Sequence, residues 1–223
     1  MSSPGSEEKP PPHISCLKKL KHPLVTTKGA EVVIWKLEIP TDETVLTSWA
    51  KSLREHYCLD SEGDALREGT GLSRNDYLTT IVFPDKNVAP GPAIRAGDFA
   101  EILVNDYLEY ILDYWVPREK YTEKATRNES IKGVDALGFF LIHPQKPSPK
   151  DRLIAFESKA QLTGRHYLNC LQQAVNDSAK DLFRRGYSLN ATKRRLRAAG
   201  RFQQALIVQR FQNPSDNPYI FTQ

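Results

Sequence analysis

Asp135, Glu157 and Lys159 are the residues of this 223-residue chain whose types and spacing point to chemistry. Glu157 and Lys159 lie two apart in the apolar run RLIAFESKA (152–160), and side chains two apart on a strand share a face. Asp135 sits in the preceding apolar run GVDALGFFLI (133–142). The proline-broken stretch HPQKPSPKD (143–151) folds the two runs into a hairpin turning near Pro147. Three ionisable groups then converge at one end of a sheet. Unpaired buried charges cost several kcal/mol each, so the cluster wants a counter-ion. Carboxylates are hard oxygen ligands, suited to Mg²⁺ or Mn²⁺ rather than zinc. A metal there polarises a phosphate and lowers the pKa of a bound water, with Lys159 orienting that water or stabilising charge on the phosphate. An acidic-x-Lys triplet carries little weight alone, since about two arise by chance in this composition. Two are present, the other being Glu7-x-Lys9. The competing reading of Glu157 and Lys159 is an exposed ion pair, worth about 0–1 kcal/mol.

The elements that position these residues follow from hydrophobic period. A strand is expected over 30–39, with Val33, Trp35, Leu37 and Ile39 on one face. A helix opens after Pro40 and Thr41, its buried stripe being Leu46, Trp49, Ala50, Leu53 and Tyr57. Residues 58–75 read as a long loop, and YLTTIVF (77–83) as a strand stopped by Pro84. A helix over 95–113 carries the stripe Phe99, Leu103, Tyr107, Tyr110, Ile111 and Tyr114, and leads into an extended stretch ending at Pro117. Residues 133–142 are apolar on both faces, as a central strand is, and 152–160 form the return strand. Helices over 167–185 and 191–199 and a last strand over 204–211 complete an α/β arrangement on a mixed sheet. Residues 1–13 are polar and proline-rich and read as a disordered tail, with an α+β region over 14–92 and the main domain over 93–223.

Composition narrows the class. The apolar fraction of 39% and charged fraction of 26% are those of a soluble globular chain. No apolar run approaches the roughly 20 residues that cross a bilayer, and no signal organisation opens the chain, so a cytosolic protein with no membrane partner is expected. Cys16, Cys58 and Cys170 are odd in number and widely spaced, which fits neither a disulfide framework nor a zinc site. The net charge of +4 is unevenly spread. Residues 151–223 hold 12 Lys/Arg against 5 Asp/Glu, which points to a polyanionic partner, nucleic acid first. Arg184, Arg185, Lys193, Arg194, Arg195, Arg197 and Arg201 form the candidate DNA-binding run, opposed nearby in sequence only by Asp181. Such a surface contacts phosphates without reading bases. Tyr167 and Tyr187 are read as packing residues, although either has a face on which a base can stack. His143 and His166 are read as loop or capping histidines.

Glu101 lies beside Gly97 and Asp98, off its helix's apolar stripe, and is placed to face the sheet. The order is then helix with acid, strand with Asp, strand with Glu-x-Lys, helix, strand. Over 95–211 this resembles the PD-(D/E)xK nuclease superfamily, with its restriction-endonuclease-like core of a mixed central β-sheet flanked by helices. The strings GDFAEIL (97–103), KGVDALGF (132–139) and AFESKAQ (155–161) resemble the HamA family, nuclease subunits of the Hachiman anti-phage defence system that work with a superfamily 2 helicase, HamB. The resemblance implies Glu101, Asp135 and Glu157 as metal-binding acids and Lys159 as the catalytic lysine. It implies Gln161 as an accessory group at the scissile phosphate, Mg²⁺ or Mn²⁺ as cofactor, and DNA and the helicase as partners. Val134 stands where the superfamily's first motif has proline, and no Gln-x-x-x-Tyr signature follows in the next helix. The expected function is a metal-dependent, sequence-independent DNA nuclease. A stand-alone restriction or repair endonuclease of the same fold, and a non-catalytic nucleic-acid-binding subunit, are the alternatives.

Overall fold

The computed structural model describes residues 9–162 and 169–223, in two compact units that divide between Arg54 and Glu55. In the smaller, β1 (Leu17–Lys19) pairs antiparallel with β4 (Trp35–Leu37), and β2 (Leu24–Val25) with β3 (Glu31–Val32). The strand expected over 30–39 is therefore two strands. It breaks because its halves pair with different partners. Helix α1 (Glu43–Glu55) starts where expected, with the Asp42 carboxylate accepting the Thr44 N–H at 2.8 Å. It buries Trp49, on which His13 stacks at 5.2 Å.

The larger unit begins with α2 (Gly63–Arg67), inside the expected loop, and α3 (Arg74–Tyr77), which continues as a π-helical turn over Leu78–Val82. Residues 77–82 are thus helical, not a strand, and Phe83 is the extended residue that ends the turn. The cause is local hydrogen bonding. Ser73 Oγ caps the Asp76 N–H at 3.1 Å, and the Thr79 and Thr80 hydroxyls donate to the carbonyls of Asn75 (2.8 Å) and Asp76 (2.5 Å). Back-bonded threonines sit in a helical turn that β-propensity argues against.

Helix α4 (Gly91–Tyr110) buries Asp98, Ile102, Asn105, Asp106 and Leu108, a face rotated from the expected aromatic stripe. That face tolerates acids because the segment after it supplies cations: Lys124 pairs with Asp98, and Arg118 with Asp106 at 2.7 Å. Trp115 then exchanges two 2.8 Å backbone bonds with Phe139.

The sheet has the order β5–β6–β7. β5 (Ala136–Phe140) is antiparallel to β6 (Arg152–Phe156), and β7 (Ile220–Thr222) is parallel to it. One face packs on Leu108 of α4 through Tyr114, Val116 and Ala136. The other packs on α6 (Asp181–Ala198) and α7 (Phe202–Arg210) through Leu137, Phe139, Leu153, Leu189, Leu196 and Val208. The expectation of a mixed sheet holds, and β5 is covered on both faces as its composition predicts. It is not the central strand, however: β6 lies between β5 and β7, and the other side of β5 carries the isolated bridge to Trp115. At Gly138 an added Cβ would lie 2.8 Å from Ile154 Cγ2 and 3.0 Å from Tyr114 Cβ, so only glycine lets the layers close.

Three C-terminal expectations change. Residues 204–210 lie in α7, capped by Phe211, and not in a strand, because Ala205, Val208 and Phe211 recur every third residue toward the core; so short an apolar run does not distinguish the two periods. The strand position beside β6 is taken by β7. The helices expected over 167–185 and 191–199 are α5 (Cys170–Ser178) and a continuous α6. Leu189 and Leu196, both almost fully enclosed, hold α6 together through Gly186. Among the described residues no helix is long and apolar enough to cross a membrane.

Candidate functional site

The register Ala136↔Phe156 places Asp135, just before β5, across from Glu157, just after β6. Glu157 and Lys159 therefore follow the return strand rather than lie within it. The strand ends because the Ser158 N–H leaves the ladder and donates to Asp135 Oδ2 at 2.8 Å. That bond ties the two sides of the hairpin end together. Glu157 accepts a hydrogen bond from Lys159 Nζ through Oε1, and Lys159 also lies 3.0 Å from Asp177 Oδ2 on α5.

Glu101, on α4, approaches from the opposite side. Its Oε2 accepts from Lys120 Nζ at 2.5 Å and from the Tyr121 hydroxyl at 2.7 Å, and Lys120 also donates to the Asp135 carbonyl at 2.9 Å. The Lys120 ammonium thus bridges Glu101 and the start of β5. Gln161 stands half-buried in the irregular segment beyond Lys159. His166 and Tyr167 lie outside the described residues, and His143 sits in the loop after β5.

Burial pushes the Asp135 carboxyl up, as does the neighbouring Glu101 charge; the Ser158 N–H opposes this, as do Lys120 and Lys159. For Lys159, desolvation acts downward, but the hydrogen bonds to Glu157 and Asp177 outweigh it and hold the amine above its ordinary value. Lys159 is a cation here, suited to charge stabilisation rather than to taking a proton. Asp177 is held at about 2 by its bonds to Lys180 and Lys159.

Glu157 Oε2 and both oxygens of Asp181 are buried and accept no hydrogen bond among the described residues. Arg184 makes long ion pairs with both, its Nη1 standing 3.9 Å from Glu157 Oε2 and 3.6 Å from Asp181 Oδ1. Burial first, then the charges of Glu157 and Asp135, raise the Asp181 carboxyl to about 6. Buried acceptors without partners are costly, about 1–3 kcal/mol or more when charged. Among the described residues no three His, Cys, Asp or Glu side chains form a ready-made cluster around a common point. The donor chemistry still fits a hard divalent cation: Asp135 and Glu157 supply anionic oxygens, one of those on Glu157 accepting no hydrogen bond among the described residues, and both residues line an open cleft of about 590 Å³ with Lys132, Lys159, Arg184 and Tyr187.

The cationic run divides. Arg184 enters the cleft. Arg185 lies 4.8 Å over the Phe221 ring, Lys193 donates to Gln212 at 2.5 Å, Arg195 pairs with Glu123 at 3.0 Å and Arg201 with Glu119 at 2.5 Å. Internal partners far away in sequence thus take up much of a run that local sequence leaves unopposed. Arg194 and Arg197 are exposed. Sequence reasoning missed Lys120, Tyr121 and the site role of Asp181. Lys120 and Tyr121 belong to no motif, and their only signal is the charged string REKYTEK (118–124).

No curated protein and no solved structure matches the chain. A family model does: that of HamA matches residues 12–222, nearly the whole length. The chain belongs to the HamA family, which implies a role in Hachiman anti-phage defence.

Proposed function

We propose that this chain is the nuclease effector of its Hachiman system, a divalent-metal-dependent, sequence-independent deoxyribonuclease built on a restriction-endonuclease-like core. The observation that carries the reading is the convergence of Asp135, Glu157 and Lys159 at one end of the β5–β6 hairpin, with a buried Glu157 oxygen that accepts no hydrogen bond among the described residues. Asp135 and Glu157 would hold Mg²⁺ or Mn²⁺, with Glu101 at the edge of the set. When bound, such an ion supplies Lewis-acid polarisation of the phosphate and a water of lowered pKa.

The chain's own residues do the rest. Lys159, kept protonated by Glu157 and Asp177, presents a fixed positive charge to the phosphate as negative charge builds on it. Lys120 positions the start of β5 by joining Glu101 to the Asp135 carbonyl. The Ser158 N–H orients the Asp135 carboxylate. Gln161 is an accessory polar group at the phosphate. Arg184 and Lys132 in the cleft, with Arg194 and Arg197 farther along α6, meet backbone phosphates. Residues 14–92 carry no nuclease motif and are assigned to contact with a HamB-type helicase.

The test is plasmid cleavage in Mg²⁺ by the purified chain with its helicase partner. Lys159→Ala and Glu157→Ala should each abolish cleavage and defence while keeping the circular-dichroism spectrum and helicase co-purification. Near-normal cleavage by either variant overturns the reading in favour of a non-catalytic binding subunit.

A further inference from the structure

Phe183 and Tyr187 are 78% and 82% exposed. They sit four residues apart on α6, so both rings emerge from one face, about 6 Å apart along the axis. Tyr187 is not the packing residue that its type leads one to expect. It forms part of the cleft wall that also holds Asp135, Glu157 and Lys159. Arg184, between the two rings in sequence, reaches into the same cleft, where Lys132 and Lys159 add positive charge. Aromatic faces next to backbone-binding cations are the combination that holds nucleic-acid strands by stacking and phosphate contact together.

The spacing says which strand form fits. Bases within a duplex strand follow one another at 3.4 Å and hide their faces against their neighbours. Rings about 6 Å apart offer seats only to bases that have been drawn apart. We propose that Phe183 and Tyr187 form a stacking ledge at the mouth of the cleft, which seats unpaired nucleotides and delivers single-stranded DNA to Glu157 and Lys159. This rests on the nuclease reading above and specifies its substrate. A protein partner docking on the same helix is less favoured, because the ledge continues into a cleft lined by cations and acids rather than into an apolar groove.

The experiment uses the full chain in EDTA, so that binding is read without cleavage. The probe is an oligonucleotide with a single 2-aminopurine, as a free strand and as a duplex. The free strand should bind the wild type with a change in 2-aminopurine fluorescence. In the Phe183→Leu/Tyr187→Leu double variant that change should disappear and single-strand affinity should fall at least about 30-fold, since each stacked base lost is worth roughly 5- to 150-fold. Duplex affinity should stay within about twofold. Tyr187→Trp keeps a stacking face and should hold wild-type affinity, with its own indole emission quenched on binding. Unchanged single-strand affinity in the double variant, or an unquenched indole, overturns the ledge; so does a double variant whose only defect is loss of helicase binding. Wild-type cleavage in Mg²⁺ is run in parallel. A wild type that cuts while the ledge signals are missing sinks the ledge alone. One that shows the ledge signals but does not cut sinks the nuclease reading and leaves a single-strand binding surface.

Discussion

The two ends of the β5–β6 hairpin are built from the same residue types and reach opposite outcomes. Asp135 precedes β5 and Asp151 precedes β6, so the antiparallel pairing puts them at opposite ends. Asp151 is fully satisfied. Its Oδ1 accepts the Ile142 N–H at 2.9 Å, and its Oδ2 accepts the Ser148 N–H at 3.1 Å and Arg210 Nη2 at 2.5 Å. Arg210 also donates to the carbonyls of His143, Pro144 and Lys146, sealing the turn. At the other end Arg184 makes only long ion pairs, 3.6–3.9 Å, with Asp181 and Glu157, and among the described residues three carboxylate oxygens accept no hydrogen bond. A buried acid with every oxygen bonded closes a loop. A buried acid whose oxygens find no donor among the described residues keeps acceptor capacity unused, a feature more common at functional sites than in sealed turns.

Substitutions at the two ends should therefore separate activity from stability. Glu157→Gln should lower cleavage by about 10³-fold or more, equivalent to roughly 4 kcal/mol of transition-state stabilisation. Its thermal midpoint in EDTA should not fall, and the rise that the wild type shows on adding Mg²⁺ should shrink. A Glu157→Gln protein that cuts normally would erase the contrast between the ends.

Asp151→Ala should behave inversely. It removes the only carboxylate paired with the largely buried Arg210 among the described residues, leaving the guanidinium its three carbonyl acceptors, and strands the Ile142 and Ser148 N–H groups, at about 3 kcal/mol of unfolding free energy. Urea unfolding measures the loss. Cleavage below the melting range should persist.

A smaller effect, of opposite sign, is expected at Asp181. Its folded pKa of about 6 lies above the ordinary 3.8. The stability compatible with this site is then fully present below the unfolded pKa and is lost as pH rises through about 6. Asp181→Asn removes that loss. In EDTA the variant should be more stable by about 1 kcal/mol at neutral pH, because the enclosed carboxyl no longer has to ionise. The gain should fade as pH is lowered from above 6 toward 4, followed by urea midpoints across that range.

The smallest effect tests whether the same distinction holds for cations. Arg194→Gln with Arg197→Gln should reduce the slope of log K against log salt on duplex DNA by about one to two units. Adding Lys193→Gln and Arg195→Gln should change it little further, because Gln212 and Glu123 already engage those side chains. A large further drop would show that internal pairing does not withdraw a cation from DNA.

Much of the arrangement that brings Asp135, Glu157 and Lys159 together was legible in residue order, because it is local. A period of two, an apolar run and a proline-broken turn specify a hairpin, and the hairpin brings the three side chains to one end. The doubly covered β5 was legible for the same reason. Where local rules compete, they misled. Thr79 and Thr80 have strand propensity but bond back onto a helix, and Ala205, Val208 and Phe211 carry a helical period within an alternating-looking run.

Charge pairing belongs to no local period. Which acids find a partner depends on what folding brings within 4 Å: Lys120 to Glu101 across 19 residues, Arg195 to Glu123 across 72, Arg210 to Asp151 across 59. The residue types at the two hairpin ends are alike, so composition cannot say that one end is sealed and the other left open. Hydrophobic spacing reports which face of an element is buried. Whether a buried charge there is satisfied is set by the three-dimensional positions of its neighbours, because hydrogen bonds and ion pairs act over a few ångströms in space and are indifferent to distance along the chain.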